Sequence, residues 1–306
     1  MSVRHYCHLL FSDYFPIFVH SMTTRAYAKI NLGLRVLRKR SDGYHDIETV
    51  FHQFDLYDEL TFRLHENDIR ITSNDPALPT DHSNLSFKAA QLLRDLTGVQ
   101  EGVEIMIAKN IPMGAGLGGG SADAAATLTS LASLWNLELT PHEFDTLALS
   151  LGSDVPFFLQ GGTAYATERG EKLQPLSLRL PYWIITVTPP VNVSTAAAYK
   201  NLGLNEESKP LVGFHSVLQE HVHDAAALRK YLQNDFEPVV FNLYPEIKSL
   251  KEEMSSEGAE VVLMSGSGSS VFALTKSETV AKHLSQNLTQ SGRVSITRPF
   301  FVPKTA

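Results

Sequence analysis

The sequence predicts an α+β protein built from two halves, and three observations lead to that prediction. Before residue 110 the chain is dominated by segments with strand-like alternation, such as 47–54 and 103–107. A glycine-rich loop then leads into a helix with regular apolar spacing. After residue 180, helical stretches separate a buried strand from a later strand pair. Strands and helices grouped in this way are typical of the α+β class.

Length and composition support a folded globule. The chain has 306 residues, which suits one large or two ordinary domains. Hydrophobic residues make up 43% and charged residues 19%, which predicts a packed core rather than disorder. The net charge of -7 argues against a nucleic-acid-binding surface, so no nucleic-acid partner is expected. Cys7 is the only cysteine, which excludes an internal disulfide and fits a cytoplasmic location.

The first 21 residues are predicted to be an extension of unknown role. Their apolar run is interrupted by Asp13 and Pro16, whereas a signal peptide or membrane helix needs an unbroken apolar segment. The regular strand pattern begins at Met22, and no later segment is long and apolar enough to span a bilayer. No membrane partner is therefore expected.

The elements of the first half follow from alternation, helical spacing and turn residues. We predict a strand pair in 22–37, strands at 47–54, 59–64 and 68–72, a helix at 85–97 and a strand at 103–107. Ser83 or Asn84 can cap the helix and Gly98 can end it. A further helix is predicted to start at Pro141, with Glu143 placed for a capping box.

In the second half we predict a strand at 183–187, helices in 195–200, 215–231 and 244–254, strands at 260–264 and 270–274, and a last strand at 294–297. The boundary between the halves is predicted between residues 161 and 181.

The glycine-rich loop is the strongest candidate for a binding site. It has five glycines among the seven residues 114–120. Glycines accept positive φ angles, which turn successive N–H groups inward, and they let a phosphate approach the backbone. The helix that follows adds unpaired donors and the positive end of its dipole. The predicted phosphate-binding segment comprises Pro112, Met113, Gly114, Ala115, Gly116, Leu117, Gly118, Gly119, Gly120, Ser121 and Ala122. The Ser121 hydroxyl is placed to reach a phosphate oxygen or its Mg²⁺.

Three other kinds of loop fit this pattern less well. A Walker A loop needs a lysine before Ser121, but Gly120 precedes it directly. A dinucleotide fingerprint is formally present, but residues 109–113 separate it from the strand end, and the upstream chain is strand-rich rather than βαβ. A flexible linker would not normally lead into so regular a helix, and ordering five glycines is costly.

Three motifs in order resemble those of the GHMP kinases, a family named for galactokinase, homoserine, mevalonate and phosphomevalonate kinases. They are the stretches 27–32, 112–121 and 264–270, and the resemblance runs from about residue 24 to about residue 299. The stretches 42–45 and 151–158 are most similar to family members that act on a cytidine diphosphate-linked sugar alcohol. The resemblance implies a ribosomal-protein-like ATP-binding domain over 22–172 and a ferredoxin-like substrate domain over 173–303.

The resemblance also implies roles for single residues. Alone, Asp154 would be interpreted as a turn residue and Lys29 as a strand-end lysine with its amine in water. By resemblance, Asp154 is the catalytic base and Lys29 lies beside it, with ATP as co-substrate and Mg²⁺ as its metal. No set of protein metal ligands is predicted. Further positions that match family sites are Lys109 and Asn84 near the ATP base, and Asn31, Tyr44, His45, Tyr199, Gly266 and Ser267 around the acceptor.

Several alternatives remain open at this point. His215, His221 and His223 have no standard zinc spacing, so we interpret them as a solvated helix face. A homoserine- or mevalonate-type kinase, a nicotinamide-dependent reductase and a non-catalytic nucleotide-binding protein are the competing functions. The pair Lys29 and Asp154 argues against the last of these. The protein is expected to be a monomer or a weak homodimer.

Overall fold

The computed structural model describes residues 21–202 and 212–304, which form two β-sheets with helices packed on them. The strands of the first sheet are β1 (Ser21–Lys39), β2 (His45–His65), β3 (Ile69–Ser73), β4 (Gly102–Ala108), β5 (Thr163–Glu168) and β6 (Lys172–Pro175). Those of the second are β7 (Trp183–Thr188), β8 (Val261–Met264), β9 (Val271–Thr275) and β10 (Arg293–Thr297). The helices are α1 (Leu85–Thr97), α2 (Gly119–Leu134), α3 (Pro141–Leu151), α4 (Val155–Gln160), α5 (Thr195–Asn201), α6 (Phe214–His221), α7 (Ala225–Tyr231), α8 (Glu237–Leu243), α9 (Pro245–Ser256) and α10 (Glu278–Asn287).

The first sheet is organised around one long hairpin. β1 and β2 pair along 19 and 21 residues, and the sheet continues in the order β3-β4-β2-β5-β6. The predicted strand pair within 22–37 was wrong, as was the predicted break between 54 and 59, because each segment belongs to one continuous strand. Register shifts within the hairpin disturb the alternation without ending either strand. One shift lies beside Gly33, whose φ of +90° and contact with the Phe214 ring leave no space for a Cβ.

Local capping rules placed α1 and α3 correctly. The Asn84 side chain caps α1 and Gly98 ends it in the left-handed conformation. Thr140 and Glu143 form a complete capping box at the start of α3. The short elements α4, β5 and β6 were not predicted from the sequence.

The second sheet is antiparallel, with strand order β10-β7-β9-β8. β7 and β8 are separated by helices, β8 and β9 form a hairpin, and α10 leads to β10, which is the ferredoxin-like arrangement. The single helix predicted over 215–231 is two helices, because Asp224 starts α7 with a side-chain cap. The helix predicted at 244–254 is α9, and α8 immediately before it was missed.

The two sheets share apolar packing. One buried cluster joins Ile30, Val50 and Phe54 of the first sheet to Ile184 and Phe272 of the second. The domain boundary predicted between residues 172 and 173 falls inside β6, which pairs with β5 of the first sheet. We therefore propose that the first domain extends to the end of β6. Residues 1–20 of the predicted extension lie outside the described residues, and Ser21 begins β1.

Within the described ranges, no helix has both the length and the apolar character needed to cross a membrane.

Candidate active site

The glycine loop connects β4 to the N-terminus of α2. Gly114, Gly116 and Gly118 all have positive φ angles, between +64° and +78°. Gly118 is the N-cap of α2 and offers no side-chain cap to the first turn. The N–H groups of that turn are therefore available to an anion, and the helix dipole favours negative charge there.

A second loop, residues 265–270, packs against the glycine loop from the C-terminal half. The Ser265 hydroxyl donates to the Gly116 carbonyl at 2.9 Å, and the Ser270 amide donates to the Ala115 carbonyl at 3.2 Å. A Cβ on Gly116 would lie 2.1 Å from the Ser265 carbonyl oxygen, so this approach needs glycine. The structure thus brings together two of the predicted motifs, and Gly266 lies against Gly116.

Lys29 and Asp154 meet beside the glycine loop. The Lys29 Nζ lies 3.7 Å from Asp154 Oδ2 and donates to Asn31 Oδ1 at 2.7 Å. Lys29 is only 4% exposed, and its backbone amide donates to the Leu117 carbonyl of the loop. Burial lowers the pKa of Lys29, and the charge of Asp154 partly offsets this effect.

Local structure explains why these side chains are presented at one place. Lys29 and Asn31 are two residues apart on β1 and share a face of the sheet. Asn31 is fixed there, since its side-chain amide donates to the Thr49 hydroxyl. Asp154 follows the end of α3 and starts α4, and its side chain is one third exposed. A buried cation therefore faces a carboxylate that remains accessible to a ligand.

The residues predicted around the acceptor include a group of aromatic rings. The rings of His45 and Tyr199 stack with centroids 4.7 Å apart, while Tyr44 is exposed. Burial raises the pKa of Tyr199 to about 12 and lowers the pKa of His45, so it disfavours the charged form of each ring. Because His45 covers one face of Tyr199, a base that stacks on that face requires the imidazole to move.

Arg169 and Thr195 also lie at this site, although the sequence did not single them out. The Arg169 guanidinium lies 3.8 Å above the Tyr44 ring and donates to the Ser153 hydroxyl at 3.1 Å. Thr195 shares a hydrogen bond with Ser267 at 2.7 Å. The only local signal for Arg169 was its turn with Gly170, and that turn could not be interpreted while β5 and β6 were unrecognised.

Two predicted nucleotide contacts have other partners for their side chains. The Lys109 Nζ is buried between the carboxylates of Asp58 and Asp123. Asp58 also accepts from the Ile111 amide, so this buried group fixes the entrance of the glycine loop. Asn84 uses its amide oxygen to cap α1. Contact of these two positions with the ATP base stays a prediction.

Asp123 of α2 is buried beside Lys109. Burial raises its pKa, and the nearby Lys109 acts in the opposite direction. In the part of the chain that the structure describes, no cluster of three or more His, Cys, Asp or Glu residues could hold a metal ion.

Comparisons with known proteins decide the family. Residues 84–162 match the GHMP kinases N terminal domain and residues 214–294 match the GHMP kinases C terminal domain. A 4-diphosphocytidyl-2-C-methyl-D-erythritol kinase of Prosthecochloris aestuarii is 43% identical over 286 residues, covering 92% of this chain and 99% of the relative. The chain belongs to this family of GHMP kinases. It is accordingly an ATP-dependent small-molecule kinase.

Other similar proteins agree with this assignment. A kinase of the same name from Geobacillus sp. is 46% identical, covering 83% of this chain and 88% of its own length. A crystal structure of 4-(cytidine 5'-diphospho)-2C-methyl-D-erythritol kinase is 35% identical, with a TM-score of 0.78 and coverage of 92% of this chain and 100% of that chain. The homoserine kinase of Cytophaga hutchinsonii has a TM-score of 0.72 at 21% identity, covering 94% and 98% of the two chains, and shows the shared fold alone.

Proposed function

We propose that this enzyme phosphorylates the 2-hydroxyl of 4-diphosphocytidyl-2-C-methyl-D-erythritol with ATP, giving the 2-phosphate and ADP in the non-mevalonate route to isoprenoid precursors. The observation that carries the proposal is the arrangement of one continuous site. The Lys29–Asp154 pair lies beside the glycine loop, and Arg169, which covers the Tyr44 ring, donates to the hydroxyl of Ser153, the residue before Asp154. The names of the relatives support the same acceptor.

The transfer follows from the residues at the centre of the site. Asp154 accepts the proton of the acceptor hydroxyl while the oxygen of that hydroxyl forms a bond to the γ-phosphorus of ATP. The bond from that phosphorus to the β,γ-bridging oxygen breaks, and ADP leaves with the electron pair. Lys29 stabilises the negative charge that develops on the acceptor oxygen and the transferred phosphoryl group, and this effect is strongest in a buried setting.

The glycine loop binds the ATP phosphates through backbone N–H groups and the dipole of α2. Mg²⁺ takes few protein oxygens and completes its shell with phosphate oxygens and waters. The half-buried Ser121 hydroxyl in the first turn of α2 fits that requirement, and we propose that it would hold the ion. The bound Mg²⁺ neutralises phosphate charge.

The enzyme binds the acceptor through its cytosine ring and through its diphosphate group. His45 can exchange hydrogen bonds with a base edge, and Tyr44 and Tyr199 offer flat rings for stacking. Arg169 lies above Tyr44 and beside Ser153, where a guanidinium can bind a diphosphate. Binding energy from the remote cytidine then positions the reacting hydroxyl. Homoserine and mevalonate contain no base that would use these aromatic residues.

The function is tested by offering the purified enzyme ATP and Mg²⁺ with four acceptors at equal concentration: the cytidyl compound, homoserine, mevalonate and galactose. ADP formation is measured in a coupled assay, with Asp154→Asn protein as the control for background hydrolysis. We expect preferred turnover of the cytidyl compound. Preferred turnover of another acceptor would replace the acceptor assignment and leave the kinase assignment standing. The cytoplasmic location, the monomeric or weakly dimeric state and the absence of nucleic-acid partners stay predictions.

A further inference from the structure

A group of charged residues surrounds the turn between β1 and β2. The Arg40 guanidinium lies 3.1 Å from Asp42, 2.8 Å from Asp46 and 3.7 Å from Glu168. The Arg40 backbone also closes the turn, since its amide donates to the Tyr44 carbonyl at 2.8 Å. We call Arg40, Asp42, Asp46 and Glu168 the hairpin clamp.

Each acidic member of the hairpin clamp is either hydrogen-bonded to a residue of the acceptor site or adjacent to one in sequence. Asp42 accepts a hydrogen bond from the Tyr44 amide at 3.0 Å. Asp46 directly follows His45 at the start of β2. Glu168 ends β5 and directly precedes Arg169, whose guanidinium covers the Tyr44 ring.

The clamp lies at the end of the pairing between β2 and β5, whose last pair is Ile47 with Glu168, and it extends this contact to the turn between β1 and β2. The turn belongs to the β1–β2 hairpin, whereas Glu168 and Arg169 begin the turn between β5 and β6. Glu168 has a φ of +60°, which is unusual for a residue with a side chain. The ion pair with Arg40 therefore acts on a residue whose backbone conformation is intrinsically unfavourable.

We propose that Arg40 is a positioning residue for the acceptor: by binding Asp42, Asp46 and Glu168 together, it sets the relative placement of Tyr44, His45 and Arg169. This inference rests on the proposed function. Arg40 acts through these neighbours and has no part in the transfer step itself. Isolated exposed ion pairs contribute little, but one guanidinium shared by three carboxylates forms a network with fixed geometry.

The expected consequence is on acceptor binding. Without Arg40 the two turns sample other arrangements. The apparent affinity for the acceptor then falls in proportion to the fraction of enzyme molecules that remain competent to bind it. We expect Arg40→Ala to raise the KM for the cytidyl acceptor roughly tenfold, with kcat and the KM for ATP changed less than about threefold. Arg40→Lys keeps the charge but cannot contact three carboxylates in fixed geometry, so it should restore only part of the loss.

Arg38→Ala is the matched control. Arg38 also pairs with Asp46, but its side chain is 77% exposed and it contacts no other member of the clamp. We expect its KM for the acceptor to change less than about twofold. Glu168→Gln should raise that KM, and the double variant with Arg40→Ala should be no worse than Arg40→Ala alone, because both changes break one network.

The steady-state kinetics of these variants, with thermal midpoints measured alongside, test the inference. An unchanged acceptor KM in Arg40→Ala contradicts it, as does an equal effect of Arg38→Ala. Equal rises in both KM values together with a lowered thermal midpoint would assign Arg40 to general stability and also contradict it. A wild-type enzyme that does not use the cytidyl acceptor refutes the proposed function, whereas normal wild-type turnover with an unaffected Arg40→Ala variant refutes only the clamp.

Discussion

Lys29 and Asp154 have different surroundings, and this difference fits their proposed roles. Lys29 is almost fully buried, so its charge acts through a medium of low polarity and has a large effect on neighbouring charges. Asp154 is one third exposed, so an acceptor hydroxyl can reach it. The Lys29 Nζ and Asp154 Oδ2 atoms lie 3.7 Å apart, within ion-pair distance.

The first prediction concerns Asp154. Asp154→Asn keeps the shape of the side chain but removes the base, so kcat should fall by roughly 10²- to 10⁴-fold with little change in either KM. Steady-state kinetics measure the effect, and Asp145→Asn on the exposed side of α3 is the control. A loss smaller than about tenfold in a folded variant would mean that the hydroxyl needs no base.

A second residue-scale prediction concerns His52. It is buried, hydrogen-bonded to Thr163 at 2.7 Å, and burial lowers its pKa to about 4. In the unfolded chain the His52 imidazole takes up a proton near the ordinary histidine pKa of about 6.5, whereas in the folded chain it does so only near pH 4. Between those values the unfolded state holds more protons, so the free energy of unfolding falls as the pH falls through this window.

The full effect is on the order of 3 kcal/mol, at about 1.4 kcal/mol per pKa unit. Denaturant melts of the wild type and His52→Gln at pH 7 and pH 4.5 measure it. The variant should lose less unfolding free energy between the two pH values than the wild type does. Equal losses in both proteins would remove His52 as the cause.

The glycine loop works as one element with the start of α2 and with residues 265–270. Gly118 has φ +74°, and a Cβ there would lie 2.6 Å from the Phe158 ring and 3.3 Å from Lys29 Cε. A side chain at this position therefore disturbs both the phosphate site and the proposed catalytic lysine.

At this scale we predict that Gly118→Val raises the KM for ATP by at least about tenfold, because the side chain strains the loop and crowds the phosphate. Gly162→Val is the matched control. Gly162 has a similar φ of +73° but nothing within 4 Å of its Cβ position, so it reports backbone strain without the clash. Equal ATP kinetics in the two variants would argue against the assigned role of the loop.

At the scale of the whole molecule, the two sheets share a buried cluster that contains Phe54 and Phe272. Two domains joined through a common core are expected to unfold together rather than one after the other. The proposed active site depends on this joining, since the glycine loop and residues 265–270 come from different domains.

The two tryptophans allow a direct test. Trp135 follows α2 in the first domain and Trp183 begins β7 in the second. In Trp135→Phe and Trp183→Phe, the remaining tryptophan reports one domain. We expect each fluorescence transition to coincide with the far-ultraviolet circular dichroism transition of the same variant in urea. Separated transitions within one variant would show that the domains unfold independently.

The sequence by itself determined the features that depend on neighbouring residues. The cap of α1, the capping box of α3 and the positive φ angles in the glycine loop were predicted correctly, because each depends on residues within a few positions along the chain. The order of the three motifs was likewise sufficient to predict the GHMP kinase family, which the domain matches confirm.

Tertiary structure decided the features that depend on distant residues. Lys29 and Asp154 are far apart in sequence, and their contact exists only because β1 passes beneath the loop at the start of α2. The burial of Lys109 against Asp58 and the pair of Arg40 with Glu168 are also long-range contacts that no local pattern encodes. Local preferences act over one or two turns of chain, whereas packing and charge pairing depend on which segments the complete fold brings into contact.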